Sequence, residues 1–268
     1  GGSVFKFTIQ DALTWINPID GLTPLCPYNY DPVFVELNSS ELIQYEELTK
    51  KIMKLMNYRD DPEVQKRLAN HQYARADIVK EANEKLSALR EKLSQTENVS
   101  RSIIYCNNFE QMDAVQEILR DLGIRYRRFT GQEGTRPQQE YNGYSERDWA
   151  LRDFGRDDIE VLIAIKCLDE GVDIPSATTG YILASSGNPR EFIQRRARLL
   201  RRYPGKEMAN VIDFVVKPSI SVEHDLALKN FEKNIFQKEM ARMDDFSQTA
   251  SNYLGVLTKI DQVKAEIG

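Results

Sequence analysis

Cysteine and histidine are scarce in this chain: three cysteines (Cys26, Cys106, Cys167) and two histidines (His71, His224) among 268 residues. They lie too far apart for a zinc-type ligand set of ordinary spacing, and the expectation is no metal site. A reduced, cytoplasmic compartment fits such cysteine usage. Long hydrophobic runs are missing as well. Stretches such as Val161–Ile165 fall far short of the ~20 apolar residues that span a bilayer, so no membrane partner is expected. No charged n-region followed by an apolar segment opens the chain, and Gly1-Gly2-Ser3 reads as an expression remnant. No Gly-x-Gly-x-x-Gly follows any predicted strand, which excludes a dinucleotide enzyme built on that turn. No internal repeat is visible.

What is present is an average globular composition, 41% hydrophobic and 29% charged, with a net charge of −5. That balance argues against wholesale attraction to nucleic acid but leaves local basic patches open. Four zones follow one another. Residues 1–38 form a Pro- and Tyr-rich lead-in ending in the β-branched run Val33–Leu37. Residues 39–98 read as a helical insertion: Ser39 is a plausible N-cap, and Leu42, Tyr45, Leu48, Ile52 and Leu55 recur at helical spacing. Asp61-Pro62 restarts a helix, and Ile78, Ala82, Leu86, Leu89 and Leu93 carry the stripe onward. Residues 99–217 alternate predicted strands (Ser102–Cys106, Ile124–Phe129, Ile159–Ile165, Thr179–Ala184, Asn210–Val216) with helices (Glu110–Leu122, Glu146–Phe154, Arg190–Arg202). That order predicts an α/β fold, a parallel sheet with helices on both faces. Residues 218–268 read as a helical C-terminal tail.

Ligands of open parallel sheets gather at the carboxyl ends of strands, and two segments expected there carry unusual chemistry. From Ser186 to Lys206 there are seven basic residues against one acid, Glu191. Asn188, Pro189 and Glu191 suit a helix start. On that helix Ile193, Ala197 and Leu200 share an apolar stripe, while Gln194, Arg198 and Arg201 share another at i, i+4 and i+7. Guanidinium groups grip phosphates bidentately and stay charged. An anionic partner and a solvated face paired with acids elsewhere both remain open on composition alone. The second segment, Val161–Pro175, is a buried strand running into an acidic turn. Gly171 permits close backbone approach, and Asp173 either accepts from sugar hydroxyls or simply closes a turn before Pro175.

Taken in order, these segments resemble motifs V and VI of superfamily-two helicases and translocases, in the branch of restriction-enzyme motor subunits and XPB-like helicases. The carrying residues are Leu168-Asp169-Glu170-Gly171-Val172-Asp173-Ile174-Pro175 and Gln194-Arg195-Arg196-Ala197-Arg198-Leu199-Leu200-Arg201. Upstream, Ile103–Asn107 resembles motif IV, and Phe129-Thr130-Gly131 with the helix bearing Arg147, Leu151 and Phe154 resembles the stretch between IV and V. The likeness extends over roughly Leu25 to Val216. It implies a RecA-like fold in which Arg198 and Arg201 reach the γ-phosphate of ATP across a cleft between lobes. It further implies that Gln194, Gly171 and Asp173 border the nucleotide, and that Asn107, Thr130, Gly131 and Lys166 face a nucleic-acid backbone.

There are departures. Ala197 stands where motif VI has glycine, and Ile165 replaces a threonine of DEAD-box relatives. No Gly-x-x-x-x-Gly-Lys-Ser/Thr and no DEAD-like acidic box is present, so the phosphate cradle and the magnesium ligand are missing. The expectation is therefore a second motor lobe. Its partners would be an N-terminal RecA-like lobe and DNA, and ATP with Mg2+ would be used only by the full-length enzyme, none being held tightly by this chain alone. A prokaryotic version would be nucleoid-associated. The rival reading is a non-catalytic module, binding nucleic acid or a protein partner, that kept the lobe's shape.

Overall fold

A computed structural model describes residues 8–58, 60–130, 132–165, 174–184, 197–217 and 226–267. Six strands form one sheet: β1 (Tyr28–Val35), β2 (Ser102–Cys106), β3 (Tyr126–Phe129), β4 (Val161–Ile165), β5 (Thr179–Ile182) and β6 (Ala209–Val216). Their spatial order is β1-β6-β5-β2-β4-β3, and every pairing is parallel. The α/β expectation holds, with a RecA-like sheet.

The interior strands β2 and β4 are buried along their whole length, as near-continuous apolar strands of a doubly covered sheet must be. Their side chains divide by parity. Ile103, Tyr105, Leu162 and Ala164 join one core; Ile104, Cys106, Val161, Ile163 and Ile165 join the other. Helices α4 (Glu84–Gln95) and α5 (Phe109–Asp121) supply the second core through Leu89, Leu93, Met112, Val115 and Leu119. The first core takes Ala12 from α1 (Ile9–Thr14) and Ala150 and Phe154 from α6 (Glu146–Gly155). It also takes Phe236, Met240 and Phe246 from α7 (Leu226–Gln248), and Val256 and Ile260 from α8 (Tyr253–Ile267).

Pro32 sits inside β1, which is tolerable because β1 is an edge strand. The Tyr30 N–H points outward and donates to Asn252 Oδ1 at 3.0 Å. The Asn252 amide returns a bond to the Tyr30 carbonyl at 2.9 Å. Pro32, two residues on, faces the same way and loses no ladder bond. The α7–α8 junction thereby covers an edge that would otherwise be open.

Three local boundaries differ from expectation. The cap of α2 (Ser39–Met56) is Asn38, not Ser39: its Oδ1 accepts from the Glu41 N–H at 2.9 Å, and Glu41 Oε2 accepts from the Asn38 N–H at 2.9 Å. The reciprocal bonds of a capping box need the cap three residues before the glutamate. The later stripe breaks at Ala82, whose ψ of 125° ends α3 (Pro62–Glu81) and lets α4 dock separately on the sheet. Ile124 and Arg125 precede β3 rather than belonging to it, because Ile124 N–H closes the end of α5 on the Leu119 carbonyl at 2.9 Å.

Candidate functional site

The arginine-rich segment is described from Ala197 onward, where residues 197–199 are helical and Leu200 is a turn. The helix does not run to Arg202 as the sequence suggested. The Leu199 carbonyl accepts from the Lys206 ammonium at 2.5 Å, and the Leu200 carbonyl accepts from the Cys26 N–H at 2.8 Å. Arg201 N–H turns back to the Arg198 carbonyl at 3.3 Å, and Arg201 then pairs with Leu25 as an isolated antiparallel bridge. Arg198 is half-buried and Arg201 exposed. They belong to a helix end and the bridge after it, not to one continuous helical stripe.

Among the described basic residues of this segment, Arg202 and Lys206 are bonded to the chain itself. Arg202 donates through Nε to the Thr23 carbonyl and through Nη2 to Thr23 Oγ1, both at 2.7 Å. Lys206 is 5% exposed and also donates to the Pro175 carbonyl at 3.2 Å. These bonds go to carbonyl and hydroxyl oxygens. Sequence reading missed this clamp because Thr23 and Pro175 lie far away along the chain. Through these bonds Lys206 ties the Leu199 carbonyl at the end of the arginine-rich segment's helical residues to the Pro175 carbonyl. Leu199 seals the arrangement by packing on Gly180 of β5, where an added Cβ would lie 2.6 Å from Leu199 Cδ2.

The location also differs from the expected one. Leu25, Pro175 and Lys206 precede β1, β5 and β6, so Arg201 and its clamp stand at the amino ends of these strands. The crossing segments begin at carboxyl ends and return, which sequence order alone does not reveal.

Asn107 and Thr130 follow β2 and β3 at the opposite, carboxyl edge. Both have carboxylate partners. Asn107 Nδ2 donates to Glu81 Oε1 of α3, shared with Asn108 Nδ2 at 2.8 Å. The Thr130 N–H and hydroxyl donate to Glu133 Oε1 at 2.6 and 3.1 Å. Gly131, Lys166, Gly171, Asp173 and Gln194 lie outside the described residues, as does the helix start at Asn188.

Between the two edges lies a buried polar cluster that the sequence did not announce. Asp213 of β6 is fully buried; it accepts from the Tyr30 hydroxyl at 3.0 Å and from Arg242 Nη2 at 3.1 Å. Lys85, 2% exposed, donates to the Leu183 carbonyl at 2.6 Å. Burial, partly offset by Asp213, brings its ammonium down to about 8.

A parallel sheet of this order, with helices on both faces, is similar to the RecA-like C-terminal lobes of superfamily-two helicases. Residues 84–203 match the family described as helicase conserved C-terminal domain. The chain is 29% identical over 205 residues to the DNA 3'-5' translocase XPB2 of Sulfurisphaera tokodaii, covering 72% of this chain and 44% of that protein. It thus spans less than half that relative's length. The C-terminal part of the Fun30 ATPase domain shares the fold, with a TM-score of 0.52, 13% identity, and 81% of this chain and 99% of that one covered. The Sulfolobus solfataricus SWI2/SNF2 ATPase core, solved in complex with dsDNA, gives a TM-score of 0.52 at 12% identity, covering 74% of this chain and 42% of that one. At such identities the two structures speak for the fold alone. No helix among the described residues is long and apolar enough to cross a membrane.

Proposed function

We propose that this chain is the C-terminal motor lobe of an ATP-dependent DNA helicase or translocase. In this reading Arg198 and Arg201 face the γ-phosphate of an ATP molecule held by an N-terminal lobe. Asn107 and Thr130, with Gly131 and Lys166, meet the nucleic-acid backbone, while Gln194, Gly171 and Asp173 border the nucleotide. The carrying observation is the Leu25–Arg201 bridge with its Lys206 clamp. It fixes the Arg198–Arg201 turn at one edge of the sheet, while Asn107 and Thr130 follow β2 and β3 at the other, which supports the reading.

The donor set suits a triphosphate. Arg201 is exposed and Arg198 half-buried, and planar guanidinium groups match phosphate oxygens bidentately. Among the described residues no cluster of histidine, cysteine or carboxylate side chains stands ready for a metal ion; the reading gives Mg2+ to the partner lobe. The chemistry ATP supplies is phosphoryl transfer to water. The part of this chain is to stabilise charge on the transferring group and to couple its release to lobe opening. The XPB2 relative's name includes translocation on DNA, which supports motion along a strand.

Fluorescence anisotropy of a labelled oligonucleotide with the purified chain, across a salt series, tests the nucleic-acid half. Binding that weakens steeply with salt and little with sequence supports backbone contact; salt-insensitive binding or none contradicts it. A phosphate-release assay on the same preparation tests the other half. The expected result is no turnover above background, and measurable turnover by this chain alone contradicts the division of labour.

A further inference from the structure

Beside Thr130, on the outer edge strand of the sheet, three aromatic rings and two guanidinium groups form a ladder. Arg127 of β3 lies over the Tyr141 ring, 6.0 Å from its centroid. Tyr141 and Trp149 are 6.4 Å apart, and Trp149 and Tyr144 are 6.2 Å apart. Arg152 lies over the Tyr144 ring at 4.6 Å. The rungs come from β3, the loop that follows it and the first two turns of α6. The loop is fixed by its own bonds: Gln138 N–H donates to the Tyr144 carbonyl at 2.9 Å, and Gly143 N–H to the Gln138 carbonyl at 3.0 Å. Asn142 and Gly143 take the left-handed conformation, with φ of 52° and 82°.

Core packing does not account for the ladder. Tyr144 is 41% exposed, and Tyr141 and Trp149 are only half-buried. Nor are all its charges spent. Arg127 pairs with Glu146 at 3.6 Å, and Arg128 pairs with Asp113. Among the described residues, however, Arg152 and the exposed Arg136 of the same loop make no ion pair. A stacked, unneutralised guanidinium beside an exposed phenol ring is an arrangement that attracts phosphate and offers a flat apolar face together.

We propose that the Arg127–Tyr141–Trp149–Tyr144–Arg152 ladder is a stacking platform for the bases of single-stranded nucleic acid, with Arg136 and Arg152 drawing in the phosphates. The inference rests on the reading of this lobe as a nucleic-acid-binding one and deepens it. Backbone contacts at Asn107 and Thr130 treat both strands of a duplex alike, whereas a base must be unpaired to lie on Tyr144. Stacking is sequence-tolerant because every base has a π-face. Thr130 directly follows β3, the strand that carries Arg127, so the platform and the Thr130 position share the outer strand of the sheet.

The test uses the chain carrying Trp15→Phe, which leaves Trp149 as the sole tryptophan of the two. Its emission is followed during titration with a twelve-nucleotide oligothymidylate and with an abasic oligomer of equal length and charge. The thymidylate quenches Trp149 and binds about tenfold more tightly than the abasic strand, the size expected for one stacked base. Tyr144→Ala removes that advantage and leaves abasic binding unchanged, while Tyr144→Phe retains it. Equal binding of both oligomers without a change in Trp149 emission overturns the platform and leaves the backbone reading standing. Binding of neither overturns both.

Discussion

Leu25 and Arg201 are joined as an isolated antiparallel bridge, so the backbone of the second candidate finger is set by the lead-in segment and not by the helix that delivers it. Arg202 and Lys206 reinforce the same junction through Thr23 and Pro175. Lys206→Met is therefore expected to act at a distance. It leaves the Leu199 and Pro175 carbonyls without their buried donor, at a cost of roughly 1–3 kcal/mol. Urea denaturation reads that loss. In the full-length protein the same variant should lower ATP turnover more than nucleic-acid affinity; an equal effect on both would deny the clamp its positioning role.

The donors at Asn107 and Thr130 are held by the carboxylates of Glu81 and Glu133, the places where phosphate oxygens are expected to bind. In the proposed reading each carboxylate competes with the strand. Glu133→Gln should raise oligonucleotide affinity by about three- to tenfold through loss of a charged acceptor and of repulsion. Anisotropy titration at low salt measures it, and unchanged or weaker binding would remove Thr130 from the interface.

Asp213 and Arg242 form a buried pair, with Arg242 also bonded to Glu239 at 2.8 Å. Arg242→Met strands the Asp213 carboxylate in the core and should cost about 3–5 kcal/mol. The double variant with Asp213→Asn should recover part of that loss. A cost under about 1 kcal/mol in urea unfolding would mean the pair is not desolvated in solution.

Lys85 gives a pH signature. Burial lowers its folded-state value to about 8, against about 10.4 for the unfolded chain. Between those limits the unfolded state holds more protons, so stability rises with pH across the window and Lys85 contributes no slope below it. Comparing the wild type with Lys85→Met isolates this term from other titrations. The difference between their unfolding free energies should shift in favour of the wild type from pH 8 to pH 10, and a flat difference would place the ammonium in water.

Much of the fold was legible because its signals are local. The apolar run at Val161–Ile165 announced a strand covered on both faces, and strands alternating with helices announced the parallel sheet. The helix start at Asp61-Pro62 was equally plain, with Asp61 accepting from Glu63 N–H at 2.9 Å. What escaped was set by distant partners. Nothing near Leu199 foretells that Lys206 ends its helix, and the edge on which Arg201 stands follows from where the crossing segment returns. The ladder had a faint signal in Tyr141, Tyr144 and Trp149 interleaved with Arg136, Arg147 and Arg152, but only the folded loop brings those rings into one row.

The central claim is that Arg201 acts on an ATP molecule held elsewhere, and turnover measured beside nucleotide affinity tests it most directly. Steady-state kcat and ATP Kd are determined on the full-length protein and its Arg201→Ala variant, with saturating single-stranded DNA. The account predicts a fall in kcat of about 10³-fold, with ATP and DNA affinities nearly unchanged. A variant that turns over ATP at the parent rate would contradict it.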